Sequence, residues 1–202
     1  MTNVSVSSSN LQEFFLTLVR DASQNQKVNL PEGVEFYLVN LLQTCTTTQN
    51  AYPTPTEGFR EEPLALMLCK ALQADSHHRI AILRRLGDFS LYMTGFFPES
   101  LKRQLVDITY YIEMGETAYG NLSRLLSDHS AFSEIYDDLA RRFMAHVDIL
   151  AEVSEKGRIQ NGKNTDLLRL YETWLHTGSE RSRRLLSQAG ILPIQDTSLK
   201  AQ

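Results

Sequence analysis

The stretch 104–121, QLVDITYYIEMGETAYGN, decides the fold class. At about 100° per residue, a helix puts Leu101, Leu105, Ile108, Ile112, Gly115, Tyr119, Leu122 and Leu126 on one stripe, in steps of four and three. That is the seam of a packed helix, and it predicts one helix from Pro98 to about Ser127. Gly115 sits in the middle of the stripe. A glycine inside a helix costs about 1 kcal/mol relative to alanine, so something must require it. The leading expectation is close approach by a neighbouring helix, and the alternative is room for a ligand.

The segment before it supplies a partner. In RRLGDFSLYMTGFF, residues 84–97, Gly87, Ser90 and Thr94 form a narrow strip of small residues flanked by Leu83, Leu86 and Leu91. The Gly87 strip and the Gly115 strip are expected to face each other or share a neighbour. Phe96 and Phe97 precede Pro98 and are expected to plug the corner between the two helices.

Helical period extends to almost every other segment, and strict alternation of the strand type is nearly absent. A first helix is expected from Asn10, capped by Asn10 with Glu13, with Phe14, Phe15, Leu18 and Val19 inward. A second follows Pro31, with Val34, Tyr37, Leu38, Leu41, Leu42 and Cys45 inward. A third opens at Pro63 and carries Leu64, Met67, Leu68, Ala71 and Leu72. A fourth is capped by Asp75 or Ser76 and runs to about Phe96. A sixth starts at Asp128 or Ser130 and runs to about Glu155, with Phe132, Tyr136, Leu139, Phe143, His146, Leu150 and Val153 inward. A seventh covers Asp166–His176 up to Gly178, and an eighth Glu180–Gln188. Residues 46–62 and 157–164 read as loops, and 1–9 and 191–202 as loose tails. Without internal self-similarity, the economical fold is all-α: one domain over residues 1–202, a compact bundle of about eight helices.

The polar residues of the opening stretch define the candidate site. Asp107 and Tyr111 lie one turn apart on the flank of the apolar face. A carboxylate at a core boundary must find a partner, because burying it alone is very costly. A structural hydrogen bond is the leading expectation. His146 occupies a core-facing position among aromatics, where a histidine is usually a satisfied core residue. If it met Asp107 or Tyr111, it could act as a base oriented by a carboxylate. Asp107, Tyr111, Gly115 and His146 are therefore the ligand-site candidates, and no catalytic residue is assigned. Arg84 and Asp88 read as an ordinary i,i+4 surface pair.

Several chemistries lack their motifs. His77 and His78 are adjacent, hence about 100° apart on a helix, and do not form a chelating pair. His129 lies at a helix start. Glu172-x-x-x-His176 occurs once, and His176 reads as a cap near a helix end. No paired Glu-x-x-His, phosphate loop, nucleophile elbow or H-E-x-x-H is present, so no metal and no cofactor is expected. TGSERSRR, residues 177–184, could suggest phosphate contacts at a helix start, but a solvated basic face is the expected reading. Cys45 and Cys69 could form one disulfide, but two buried free thiols are the leading expectation.

The chain has 202 residues, 42% hydrophobic and 22% charged. That composition is ordinary for a globular protein. A domain of this length buries roughly 70% of the surface its unfolded chain exposes. The net charge of −4 argues against a nucleic-acid partner. No apolar run is long enough to insert in a membrane, and no secretory signal is recognised, which leaves the cytoplasm as the expected location.

Three segments, EFYLVNLL at 35–42, LRRLGDFSLYMTGFFPESL at 83–101 and VDITYYIEMGETAYGNL at 106–122, together resemble an uncharacterised family of bacterial all-helical proteins. The resemblance covers about half the chain. It implies a soluble bacterial helical protein and supplies no activity. Two functions follow as expectations: an interaction or regulatory module without catalysis, binding a protein partner or forming a homo-oligomer, or a ligand-binding protein or enzyme with its site inside the bundle.

Overall fold

The computed structural model describes residues 8–47, 63–101, 107–128, 130–158, 174 and 177–188. The helices among them are α1 (Ser8–Gln26), α2 (Glu32–Thr47), α3 (Leu64–Gln73), α4 (Ser76–Phe96), α5 (Pro98–Leu101), α6 (Ile108–Leu125), α7 (Ser130–Arg141), α8 (Phe143–Arg158) and α9 (Glu180–Gln188). The described residues contain no strand, so the fold is an all-α bundle. Residues 48–62 of the loop predicted at 46–62, most of the loop at 157–164, most of the helix at 166–176, residues 1–7 of the tail predicted at 1–9 and the tail at 191–202 lie outside the described residues, as do Leu105, His129, Glu172 and His176; residues 46 and 47 belong instead to α2, and 8 and 9 to α1.

The third, fourth and eighth predicted helices are found within a residue or two of their expected bounds. α4 starts where Asp75 accepts hydrogen bonds from the amides of His77 and His78. Arg79 folds back to donate to the carbonyls of Ala71, Leu72 and Ala74, closing the last turn of α3. Thus one cap and one arginine build the α3–α4 corner. At its other end α4 closes on the aromatic plug expected there: Tyr92 stacks on Phe96 at 5.0 Å and meets Phe97 edge-on at 5.5 Å.

α4 is the central helix. Gly87, Asp88, Phe89, Ser90 and Leu91 are buried in succession, which requires neighbours on all sides. Its most extensive partner is α6, followed by α8 and α3. A β-carbon added at Gly87 would lie 2.5 Å from the Tyr119 ring. One added at Gly115 would lie 2.4 Å from the Phe143 ring and 3.0 Å from the Ser90 β-carbon. The two small-residue strips therefore interlock as expected. The main core includes Val19, Leu38, Leu86, Tyr119, Phe143 and Leu150 and draws on α1 to α8. Each such large apolar side chain contributes about 1.5–3 kcal/mol through burial.

Other expectations need correcting. The fifth predicted helix is divided: α5 is one turn, and Asp107 is extended (φ −68°, ψ 154°) at the N-cap position of α6. Val106, Asp107, Ile108 and Thr109 are all weak helix formers, and Asp prefers caps to interiors. The sixth predicted helix breaks at Arg142 into α7 and α8. α1 is already helical at Ser8, so Asn10 is not its cap. Phe14, Leu72 and Phe132, expected inward, are exposed. On α1 the buried face centres on Phe15, Val19 and Ala22, about 100° round from Phe14. Leu72 stands in the last turn of α3, one position beyond buried Ala71, and Phe132 stands one turn before buried Tyr136. Cys45 is half-buried and Cys69 exposed, both free, because α3 packs on α4 through Leu64 and Ala71 and turns Cys69 outward.

Candidate functional site

The most developed polar cluster centres on Asp88. Burial in the middle of α4 places its carboxyl where solvent cannot supply hydrogen bonds, so partners must come from the neighbouring helices. Two phenols do so. Tyr119 of α6 donates to Oδ1 at 2.9 Å, and Tyr37 of α2 donates to the same oxygen. The second oxygen faces Arg84, whose Nε lies 3.7 Å away. The Arg84 guanidinium also sits over the Tyr37 ring, 5.9 Å from its centroid. Tyr136 of α7 closes the cluster: it stacks on Tyr119 at 5.8 Å and meets Tyr37 edge-on at 5.6 Å. Four helices therefore meet at one carboxylate.

Electrostatics follow the geometry. Burial raises the Asp88 carboxyl above its ordinary pKa, against the opposing pull of the two phenols and Arg84. Burial, and then the neighbouring Asp88 charge, push the Tyr37 and Tyr119 phenols well above the usual range. Half-buried Cys45 is pushed up to about 12, by burial first and by Asp88 second. Both phenolic donors converge on Oδ1, and Arg84 faces Oδ2. The arrangement is a polar joint between helices.

A second cluster forms at the break between α7 and α8. His146 is fully buried, and its Nε2 lies 3.0 Å from Asp138 Oδ1. Residues eight apart on a straight helix would be separated by about 12 Å. The two residues lie on either side of the break between α7 and α8 at Arg142. Arg142 bonds the other Asp138 oxygen and donates to the Asn29 carbonyl at 2.9 Å. Burial acts to raise the Asp138 carboxyl, but His146 and Arg142 outweigh it and hold the group below its ordinary pKa. His146 Nδ1 is buried with no hydrogen-bond partner among the described residues.

A third cluster joins α8 to the start of α9. The buried Asp148 carboxylate accepts from the Ser179 hydroxyl at 2.5 Å and from the Arg181 amide at 3.2 Å. Ser179 Oγ in turn accepts the Ser182 amide at 3.1 Å, as an N-cap does. The helix start in TGSERSRR, considered for phosphate, is therefore occupied by a carboxylate of the protein itself. The expected solvated basic face is also only partial: Arg183 is exposed, while the Arg181 side chain is largely covered against Glu155.

The sequence-derived candidates do not converge. Asp107 is exposed, and the Thr109 hydroxyl donates to its Oδ2 at 3.2 Å. Tyr111 is buried with its ring centroid 6.4 Å from Phe89 and 5.7 Å from Tyr110. Gly115 is filled by Phe143 and Ser90, which leaves no ligand space at that position. His146 pairs with Asp138, not with Asp107. The residue that sequence reasoning passed over is Asp88. Its signal was the run LGDFSL, where an acidic residue stands among core positions with no polar face of its own. The Tyr110 hydroxyl accepts the Ala65 amide at the start of α3, at 2.9 Å.

Among the described residues no group of three or more His, Cys, Asp or Glu side chains is placed to hold a metal ion, and no helix is long and apolar enough to cross a membrane. Compared with protein-family models, curated proteins and solved structures, the chain matches no family, no curated protein and no solved structure.

Proposed function

We propose that this chain is a helical interaction module without catalytic activity, working through the outer face of α3 and pairing with a second copy of itself. The observation that carries this reading is the exposure of Leu66 and Leu72, at 51% and 55%, on a ten-residue helix whose one charged residue is Lys70. Cys69 lies between them and is also exposed. A helix apolar on both faces normally has neighbours on both. With so little charge, the face is compatible with itself across a two-fold axis, the commonest oligomer symmetry. Asp88 supports the non-catalytic half of the reading, since its donors come from α2, α4 and α6 and hold those helices together. Two unpaired cysteines favour a reducing compartment, such as the bacterial cytoplasm that the three resembling segments suggest.

The test is oligomeric state. Sedimentation across a concentration series is expected to show a dimer, and mild oxidation a Cys69–Cys69 crosslink. Both are expected to disappear in Leu66→Glu/Leu72→Glu. A monomer at every concentration, with no crosslink, overturns the reading.

A further inference from the structure

α9 differs from the other long helices in how it is attached. Its sequence, ERSRRLLSQ, has two apolar residues. Leu186 is fully buried, but among the described residues it packs with Trp174 and Leu185 in a small cluster apart from the main core. Among the described residues, a set of polar contacts ties α9 to α1 and α8. Asp148 of α8 takes the Ser179 hydroxyl and the Arg181 amide. The Arg181 guanidinium reaches Glu155 of α8. Arg184 donates to the Asn25 carbonyl at 2.8 Å and to the Gln26 side chain, both at the end of α1. Asn25 and Gln26 are in turn fixed by Glu152 of α8, at 2.7 and 2.8 Å. Glu180 and Arg183 pair with each other. Beneath this helix start lies a cleft of about 330 Å³ with Val28, Met144 and Ala145 on its lining.

We propose that α9 is an ionic strap: a helix that leaves α1 and α8 as a unit while the main core stays folded, and that uncovers the Val28–Met144–Ala145 floor when it does. Three physical arguments support this. Nine residues do not sustain a helix alone in water, so α9 depends on its docking. Partly exposed ion pairs each contribute little and weaken with salt, so the docking is shallow. The apolar anchor belongs to the strap's own small cluster, so its release opens no gap in the main core. Asp148 is the latch. It supplies the negative charge that the first turn of α9 needs, from a buried position that keeps the charge effective.

The test uses the full chain and peptide-resolved hydrogen exchange, with fluorescence of Trp174, the one tryptophan in the sequence, as a second readout. Amides of 180–188 are expected to exchange far faster than those of α4 and α6, and faster again in 1 M than in 50 mM sodium chloride. Asp148→Asn is expected to speed exchange of 180–188 by about tenfold, the scale of a lost helix cap, and to red-shift Trp174 emission. Exchange in α4 and α6 should not change. Arg184→Gln, which removes the bonds to Asn25 and Gln26 of α1, provides a second variant expected to act in the same direction. The inference is overturned if 180–188 exchange as slowly as α4 at both salt concentrations. It is equally overturned if loss of the latch accelerates α4 and α6 together with α9, because α9 would then belong to the global unfolding unit.

Discussion

The Tyr119 ring fills the notch left by Gly87, and its hydroxyl bonds the carboxylate of the next residue, Asp88, at 2.9 Å. One residue of α6 thus reads two consecutive residues of α4, one by shape and one by hydrogen bonding. The ring can neither slide along α4 nor turn without losing one of the two contacts. This fixes the register of the most extensive helix pair in the protein.

The shape half predicts a split among glycines. A β-carbon at Gly87, Gly115 or Gly95 would lie 2.4–2.6 Å from the buried side chains of Tyr119, Phe143 and Leu150, respectively. Replacing any of these glycines with alanine is expected to destabilise by about 1–3 kcal/mol, the scale of overpacking. At Gly120 the nearest atoms are 3.9 Å away, on Ala140 and Arg124. There the helix propensity of alanine is free to act, and Gly120→Ala is expected to stabilise by about 0.5–1 kcal/mol. Urea unfolding of the four variants checks this. A uniform response, in either direction, would show that close approach is not what these positions require.

The hydrogen-bonding half predicts an order at Asp88. Asp88→Ala strips the acceptor from two largely buried phenols and is expected to cost about 2–5 kcal/mol. Asp88→Asn keeps an acceptor oxygen and removes a charge that burial disfavours, so it is expected to cost less than about 2 kcal/mol. The pH dependence has a definite sign. The folded carboxyl is raised above its unfolded value, so its contribution is most favourable at low pH and declines as pH rises through the folded value. The Asn variant, which has no such titration, is expected to approach or overtake the wild type on that side. Equal losses for the two variants would mean that the acceptor oxygen is unimportant.

The sequence reveals the helices more readily than the joints between them. The four-and-three stripe through Ile112, Gly115, Tyr119 and Leu122 is a property of one helix, and those four residues are buried as expected. The starts of α3, α4 and α9 were also legible, because Pro63, Asp75 and Ser179 act on their own neighbours in the chain. Asp88 was misread because an acidic residue four positions after an arginine is equally compatible with a surface pair. Only the arrival of Tyr37 from 51 positions away and Tyr119 from 31 positions away tells the two apart. The pairing of Asp138 with His146 was hidden for a different reason. It spans a break in the helix at Arg142 that no proline or glycine announces.

The two cysteines are expected to react at very different rates. Cys69 is exposed on α3, whereas the Cys45 thiol is pushed up to about 12. Because the thiolate is the nucleophile, Cys45 should react at least about a hundredfold more slowly than an ordinary thiol at pH 8. In the Leu66→Glu/Leu72→Glu variant, whose α3 face is left unpaired, a chromogenic disulfide reagent is expected to label one thiol quickly in the folded protein and both in denaturant. The fast phase should vanish in Cys69→Ser. Two fast thiols would mean that the α2 end near Cys45 is open to solvent.

The corner between α3 and α4 gives the acid-side prediction. Asp75 accepts hydrogen bonds from the amides of His77 and His78, and its second oxygen lies 2.5 Å from the His78 ring. The His78 amide, followed by the His78 side chain, lowers the carboxyl from 3.8 to about 2. A folded value below the unfolded one means stability that is fully present above about pH 4 and is lost as pH falls towards 2. The Tm difference between wild type and Asp75→Ala is therefore expected to shrink as pH falls from 4 to 2. The variant comparison isolates this group, because the other carboxylates titrate in both proteins. The group is exposed, so the difference should be small and should fall with added salt. A Tm gap that persists unchanged at pH 2.5 would show that cap geometry alone, without the charge, holds the corner.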